Sequence, residues 1–264
     1  KAFGTFVKKG KVVVGRDSRP SGEMLKKAVL KGLSSVGIDV IYLGIVPTPT
    51  VEIAVKELKA VAGICITASH NPGEWNALKF FNKKGEFVTS LEFQQIEKLY
   101  NNESFALKPT NKFGKIKQQS GWIEKHVRKT LALKAINKPA IKKRKYKVVV
   151  DAINGAGCVA LPLLLTKLGV KVIKINCRPN GNFVHEPEPI PKNLQQLGEA
   201  VIKSKADFGL ACDPDADRLA LVDEKGIPLG EELTLAIAVR EVLREKKGPV
   251  GINLSTSKIT GDAA

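Results

Sequence analysis

One order of elements occurs twice in this 264-residue chain, and the repeat restricts the fold more than any other feature. An apolar run at 12–14 is followed by a helical pattern, Gly37 and a second apolar run, and the same order leads from 148–150 through Gly169 to 170–175. Strand, helix and strand in succession indicate a right-handed crossover between parallel strands. The repeat therefore predicts an α/β fold, with repeated mixed or parallel sheets and helices on both faces.

The repeats divide the chain into three segments. We expect a first domain over 1–117, a second over 118–246, and the start of an incomplete third domain over 247–264, where the apolar run 248–255 begins the pattern again. The lysine-rich stretch 138–147 is predicted to be a solvated linker. Since no run of about 18 apolar residues is present, no membrane partner is expected.

The net charge of +17 raises the question of a nucleic-acid partner. The lysines are scattered over many predicted helices, aromatic stacking residues are scarce, and no known nucleic-acid-binding motif is present. We therefore expect no nucleic-acid partner and interpret the positive field as suited to small anionic molecules. The cysteines lie in or beside apolar runs without metal-binding spacing, which predicts reduced core residues in a cytoplasmic protein. They are Cys65, Cys158, Cys177 and Cys212.

A polar loop interrupts two apolar runs in the first domain. The run 64–66 ends in Thr67–Ala68–Ser69–His70–Asn71–Pro72, and an apolar run resumes at Leu78. Pro72 prevents the loop from continuing as a helix, so the Ser69 hydroxyl is presented at the end of a strand. The alternative is an ordinary strand–turn–strand whose Ser and Asn only satisfy turn hydrogen bonds.

A second polar loop follows the apolar strand 206–212 and places Asp213, Asp215 and Asp217 at alternate positions. Carboxylates about 4 Å apart repel by several kcal/mol unless a cation neutralises them. Oxygen-only ligands favour Mg²⁺, so the spacing predicts a magnesium site at the carboxyl edge of a sheet. A solvated acidic turn is the alternative, whereas Arg218 stands where a calcium-binding EF-hand loop needs glycine.

The two loops resemble those of the α-D-phosphohexomutases, the family of phosphomannomutase, phosphoglucomutase and phosphoglucosamine mutase. Residues 67–72 resemble the phosphoserine loop of that family and 213–218 its metal-binding loop. The resemblance implies a mutase that interconverts hexose 6-phosphate and hexose 1-phosphate. A phosphoserine would phosphorylate the hexose phosphate substrate, and the resulting hexose 1,6-bisphosphate, the intermediate and activator, would reorient and return its other phosphate.

The resemblance also implies roles for individual residues. Ser69 would carry the phosphoryl group and bridge to Mg²⁺ held by the three aspartates, while His70 would orient the phosphoserine. Arg218 would contact the transferring phosphate, and Lys79 would act as general acid/base, which requires a lowered pKa. The residues expected to contact phosphate near Ser69 are Arg16, Arg19 and Asn71.

The resemblance covers only about the first half of a typical four-domain member. The third and fourth domains of the same protein are therefore expected partners. Without them the resemblance does not distinguish mannose, glucose and glucosamine phosphates as substrates, and it does not imply that this chain alone completes the reaction. Two other functions stay open. In the first, the chain is a magnesium-dependent phosphatase with Asp213 as its nucleophile, since D-x-D after a strand suits that chemistry. In the second, the chain is a non-catalytic basic binding protein on the same fold.

Overall fold

The computed structural model describes residues 1–254 and 256–264, within which nine strands form two sheets. The strands are β1 (Lys11–Arg16), β2 (Asp39–Ile45), β3 (Ala62–Ile66), β4 (Leu78–Phe81), β5 (Ile116–Gln118), β6 (Lys147–Asp151), β7 (Lys171–Ile175), β8 (Phe208–Cys212) and β9 (Leu219–Val222). The α-helices are α1 (Ala2–Val7), α2 (Gly22–Ser34), α3 (Thr48–Glu57), α4 (Ser90–Asn101), α5 (Trp122–Leu131), α6 (Lys138–Arg144), α7 (Gly157–Lys167), α8 (Gln195–Ser204), α9 (Glu231–Glu245) and α10 (Lys258–Asp262).

The two sheets share one strand order. The first sheet has the order β4-β3-β1-β2-β5 and the second β7-β6-β8-β9, so that β2-β1-β3-β4 corresponds to β7-β6-β8-β9. All neighbours are parallel except the antiparallel pairs β3–β4 and β8–β9. The predicted repeat and the mixed α/β sheets are confirmed.

The central strands of each sheet are buried on both faces. Side chains alternate along a strand, and each set packs against helices on its own side of the sheet. In β1, Val12 and Val14 pack into one core with the helices α1, α2 and α4, whereas Val13 packs into another with α3 and Trp122. In β6, the outer valines of 148–150 face α7 and Val149 faces α8. Helices therefore cover both faces of each sheet, and polar loops are left to the strand ends.

Some details between the sheets differ from the expectations. Part of the expected linker 138–147 forms the helix α6, because Asn137 caps its start and Pro139 occupies the first turn. The proposed boundary after residue 117 falls inside β5, which pairs with β2 of the first sheet. Trp122 of α5 is buried in the core of the first sheet, and α5 also contacts α7 of the second unit. This helix therefore packs against both units.

The segment after α9 does not have the predicted strand. Residues 248–254 have no regular structure, and Ser255, the last residue of that expected restart, lies outside the described residues. A strand gains stability only by pairing with a neighbour, and 248–254 pairs with none of the described strands. The start of a third domain stays a proposal.

Among the described residues, no helix combines the length and the apolar character needed to cross a membrane. All four cysteines are free; three are buried and Cys177 is partly exposed.

Candidate active site

The Ser69 loop connects β3 to β4 and is held in an unusual backbone conformation. Ser69 has a φ of 52°, which is unfavourable for a residue with a Cβ. Its N–H donates to the Thr67 hydroxyl at 2.9 Å, and its carbonyl accepts from the Arg19 guanidinium at 2.8 Å. These bonds fix the backbone on both sides of Ser69 and leave its side chain partly exposed.

The aspartate loop connects β8 to β9, the equivalent position in the second sheet. Asp213 is fully buried, and its Oδ1 accepts the backbone N–H groups of Asp217 and Arg218 at 3.1 Å each. Its other oxygen, Oδ2, accepts the Ser69 hydroxyl at 3.2 Å. The structure thus brings together the two loops that the sequence singled out, although 144 residues separate them.

The three aspartates fit a divalent cation. One carboxylate oxygen from each lies within 4.8 Å of the others. Oδ1 of Asp215 is buried and has no hydrogen-bond partner among residues 1–254 and 256–264, so this oxygen is available to a ligand. Burial and the charges of Asp215 and Asp217 raise the pKa of Asp213 well above its usual range. Mg²⁺, which prefers such oxygens, would relieve this repulsion.

Lys79, on β4, forms ion pairs inside the cluster. Its Nζ lies 2.7 Å from Oδ2 of Asp215 and 2.7 Å from Oδ2 of Asp217. Burial of the amine acts to lower its pKa, but the two carboxylates outweigh burial and the pKa of Lys79 is raised. This direction is opposite to the lowered pKa expected of Lys79, because carboxylates rather than cations surround it.

Thr48, at the start of α3, is a site residue that the sequence did not reveal. Its hydroxyl donates to Oδ2 of Asp215 at 2.5 Å, and its N–H donates to the Asp215 carbonyl at 2.9 Å. Thr48 is buried, so both bonds are shielded from water. In the sequence, Pro47–Thr48–Pro49 signals only a helix start, whereas the contact spans 167 residues.

Arg16, Arg19 and Asn71 lie around the loop rather than at the Ser69 hydroxyl. Arg19 is completely buried, pairs with Asp17, and donates to the Asn71 carbonyl at 2.5 Å as well as to Ser69. The Asn71 side chain donates to the Ala68 carbonyl at 2.8 Å. Arg16 points to the Tyr42 hydroxyl, 3.2 Å from its Nε. Their roles as phosphate ligands stay predictions.

His70 of the Ser69 loop and Arg218 of the aspartate loop lie beside the same carboxylate. His70 Nδ1 lies 3.4 Å from the Ser69 hydroxyl. On the other side of the ring, Nε2 lies 3.9 Å from the Glu188 carboxylate, which is also 3.6 Å from Arg218. Two of the predicted site residues therefore share an acidic partner.

Models of known protein families match two ranges of this chain. Residues 1–107 match the family model described as phosphoglucomutase/phosphomannomutase, alpha/beta/alpha domain I, and residues 124–226 match domain II. The chain belongs to the phosphoglucomutase/phosphomannomutase family. Both loops fall within the matched ranges, the Ser69 loop in domain I and the aspartate loop in domain II.

Relatives of this family share about two fifths of the sequence. A protein from Pyrococcus abyssi named "Probable phosphoglucosamine mutase" is 41% identical over 92% of this chain and 52% of its own length. A Thermococcus kodakarensis "Phosphoglucomutase/phosphomannomutase" is 41% identical over 100% of this chain and 59% of its length. A phosphoglucomutase/phosphomannomutase family protein from Burkholderia thailandensis, solved by crystallography, has a TM-score of 0.78 at 26% identity, covering 99% of this chain and 58% of that one. The chain thus spans between half and three fifths of these relatives.

Within this family member, the turn Asn154–Gly157 after β6 supports the aspartate loop. A Cβ on Gly155 would lie 2.6 Å from the Pro214 carbonyl oxygen, and the Ala156 N–H donates to that oxygen at 2.7 Å. The Asn154 carbonyl accepts the Ser18 hydroxyl of the first unit at 2.8 Å. The turn therefore connects the aspartate loop to the first unit.

Gly155→Ala is expected to lower the free energy of unfolding by about 1–3 kcal/mol, the usual effect of overpacking, because the added methyl group forces Pro214 to move. Urea unfolding measures this. Gly248→Ala is the matched control, since no described atom lies within 4 Å of its added Cβ, and its effect should stay within about 0.5 kcal/mol. Equal effects of the two substitutions would contradict the packing argument.

Proposed function

We propose that this chain forms the phosphoryl-transfer half of an enzyme that interconverts hexose 6-phosphate and hexose 1-phosphate through phosphorylated Ser69. The observation that carries the proposal is the 3.2 Å contact between the Ser69 hydroxyl and Asp213, within a cluster of three carboxylates. The relatives' names give hexose phosphates as the substrate class. Third and fourth domains of the same protein are the proposed partners for binding the sugar.

Phosphoryl transfer needs positioning and charge neutralisation more than covalent chemistry. A sugar hydroxyl attacks the phosphorus of phosphorylated Ser69, its O–P bond forms as the Ser69 O–P bond breaks, and the proton lost by the sugar is balanced by one gained at Ser69 Oγ. Asp213, Asp215 and Asp217 would hold Mg²⁺, which would supply positive charge to the transferring oxygens. In the second half-reaction the same changes run in reverse from hexose 1,6-bisphosphate.

The chain's own side chains prepare this step. The Thr67 hydroxyl and Arg19 hold the Ser69 backbone so that the nucleophile faces Asp213. We assign Lys79 as the general acid/base on its position, since its Nζ lies 2.7 Å from both the Asp215 and the Asp217 carboxylates. Arg218 is proposed to bind the phosphate as a planar double donor.

The environment of Asp213 argues against the phosphatase alternative. A nucleophilic carboxylate needs an oxygen that can reach phosphorus, yet Asp213 is fully buried. Its Oδ1 accepts two backbone N–H groups, and its Oδ2 accepts the Ser69 hydroxyl. Ser69 is partly exposed and so is the better phosphoryl acceptor.

Intact-mass analysis after incubation with Mg²⁺ and glucose or mannose 1,6-bisphosphate tests the proposal. The wild-type chain is expected to gain one phosphate and Ser69→Ala none. Ser104→Ala, which changes an exposed serine outside the site, should be phosphorylated like wild type. A phosphate on Ser69→Ala would favour Asp213 as the acceptor, and an unmodified wild-type chain would count against the proposal.

A further inference from the structure

Glu188 lies beside two site residues, His70 and Arg218, although it belongs to neither loop. Its Oε1 is 3.6 Å from Nη1 of Arg218 and 3.9 Å from Nε2 of His70. Arg218 comes from the aspartate loop and His70 from the Ser69 loop. One carboxylate oxygen therefore faces both loops where the two units meet.

The segment that carries Glu188 is held firmly at several points. Pro187 and Pro189 on either side are buried, and proline restricts the backbone. The Glu188 carbonyl accepts the Ile190 N–H and the Asn193 side-chain amide, both at 2.9 Å. Glu188 therefore reaches His70 and Arg218 from a backbone that is already ordered, which reduces the entropy cost of the contact.

The start of the segment has a separate anchor in the second sheet. His185 Nε2 lies 3.2 Å from Oδ2 of Asp151, the last residue of β6. Its Nδ1 lies 2.8 Å from the Glu186 carbonyl. The segment is thus tied to the carboxyl edge that also carries the aspartate loop, and Glu188 is fixed relative to Arg218.

The two ring nitrogens of His70 have different neighbours. Nε2 faces Glu188, and Nδ1 lies 3.4 Å from the Ser69 hydroxyl. A carboxylate beside one nitrogen favours the tautomer that carries its proton there and leaves the other nitrogen as an acceptor. We infer that Glu188 is a positioning residue for phosphoryl transfer, which rests on the proposed function. It orients the His70 ring so that Nδ1 is a second acceptor, besides Asp213 Oδ2, for the one proton of the Ser69 hydroxyl, and it holds Arg218 beside them.

The exposure of the Glu188 side chain distinguishes a positioning role from a structural one. Its side chain is 40% exposed, and its partners are 32% and 33% exposed. Ion pairs of this kind contribute little to stability because water screens them. Loss of Glu188 should therefore change the transfer rate and leave the urea midpoint unchanged.

The test compares Glu188→Leu with Glu186→Leu, a matched change at an exposed residue of the same segment whose side chain is outside the site. The rate at which Ser69 gains phosphate from hexose 1,6-bisphosphate and Mg²⁺, followed by intact mass, should fall about 100-fold in Glu188→Leu, the usual cost of misplacing a positioned group by about 1 Å. Glu188→Gln, which keeps an acceptor oxygen, should recover to within about tenfold of wild type. Wild-type rates in Glu188→Leu, or an equal loss in Glu186→Leu, would overturn the inference.

A second measurement does not depend on activity. Long-range ¹H–¹⁵N spectra in alkaline buffer report which imidazole nitrogen carries the proton, and the chain has only three histidines to assign. His70 should carry its proton on Nε2 in wild type and lose this preference in Glu188→Leu. If Ser69 gains no phosphate while the tautomer shifts as expected, the proposed function fails and the positioning stands. An identical His70 spectrum in Glu188→Leu overturns the positioning.

Discussion

Asp17→Ala is expected to lower the free energy of unfolding by about 3–5 kcal/mol, the usual cost of leaving one member of a buried ion pair unpaired. Asp17 and Arg19 are both completely buried and pair with each other. Asp17 also accepts the Thr67 hydroxyl at 2.7 Å and the Arg19 N–H at 3.0 Å. Since a domain is stable by only about 5–15 kcal/mol, this substitution removes a large share of the total.

Urea unfolding, with Glu23→Ala as the control, measures this effect. Glu23 is a carboxylate of the same region that pairs with Lys26 and Arg16, but it is exposed. Water screens exposed ion pairs, so the control should be nearly unchanged. A loss below about 1 kcal/mol in Asp17→Ala would show that the buried pair does not hold the Ser69 loop.

Local patterns in the sequence were sufficient for much of the fold. The apolar run of β1 and its counterpart in β6 predicted buried central strands, because parallel strands covered on both faces contain little polar character. Thr89 and Glu92 form a capping box at the start of α4, a signal that depends only on residues three apart. The two polar loops were located for a similar reason: each interrupts or ends an apolar strand.

Contacts between distant segments explain what the sequence did not predict. Arg19 is completely buried against Asp17, and nothing in 16–22 distinguishes a surface arginine from a buried one. Thr48 reaches Asp215 only because α3 and the aspartate loop meet after both units have folded. The pKa direction of Lys79 likewise depends on two carboxylates contributed by the other sheet.

The aspartate cluster leads to the second prediction. Asp215→Asn is expected to abolish the stabilisation of the chain by Mg²⁺. Oδ1 of Asp215 is the buried oxygen that lacks a hydrogen-bond partner among the described residues, while Oδ2 is already shared by Lys79 and Thr48. Removal of this charge leaves a neutral amide, a poorer ligand for a hard cation, and only two carboxylates remain.

The measurement is the urea midpoint with and without Mg²⁺, so that each variant is its own reference. Metal at about 100 times its Kd stabilises a folded chain by about 2.7 kcal/mol, and Asp215→Asn should show none of this gain. Asp223→Asn is the matched control, because that carboxylate accepts the Lys225 and Ile227 N–H groups in a separate turn, and it should keep the full gain. If Asp215→Asn keeps the gain, the metal binds elsewhere. Cation binding at a built site depends on which carboxylate is removed. If both variants lose the gain, the stabilisation therefore comes from the overall negative charge and not from this site.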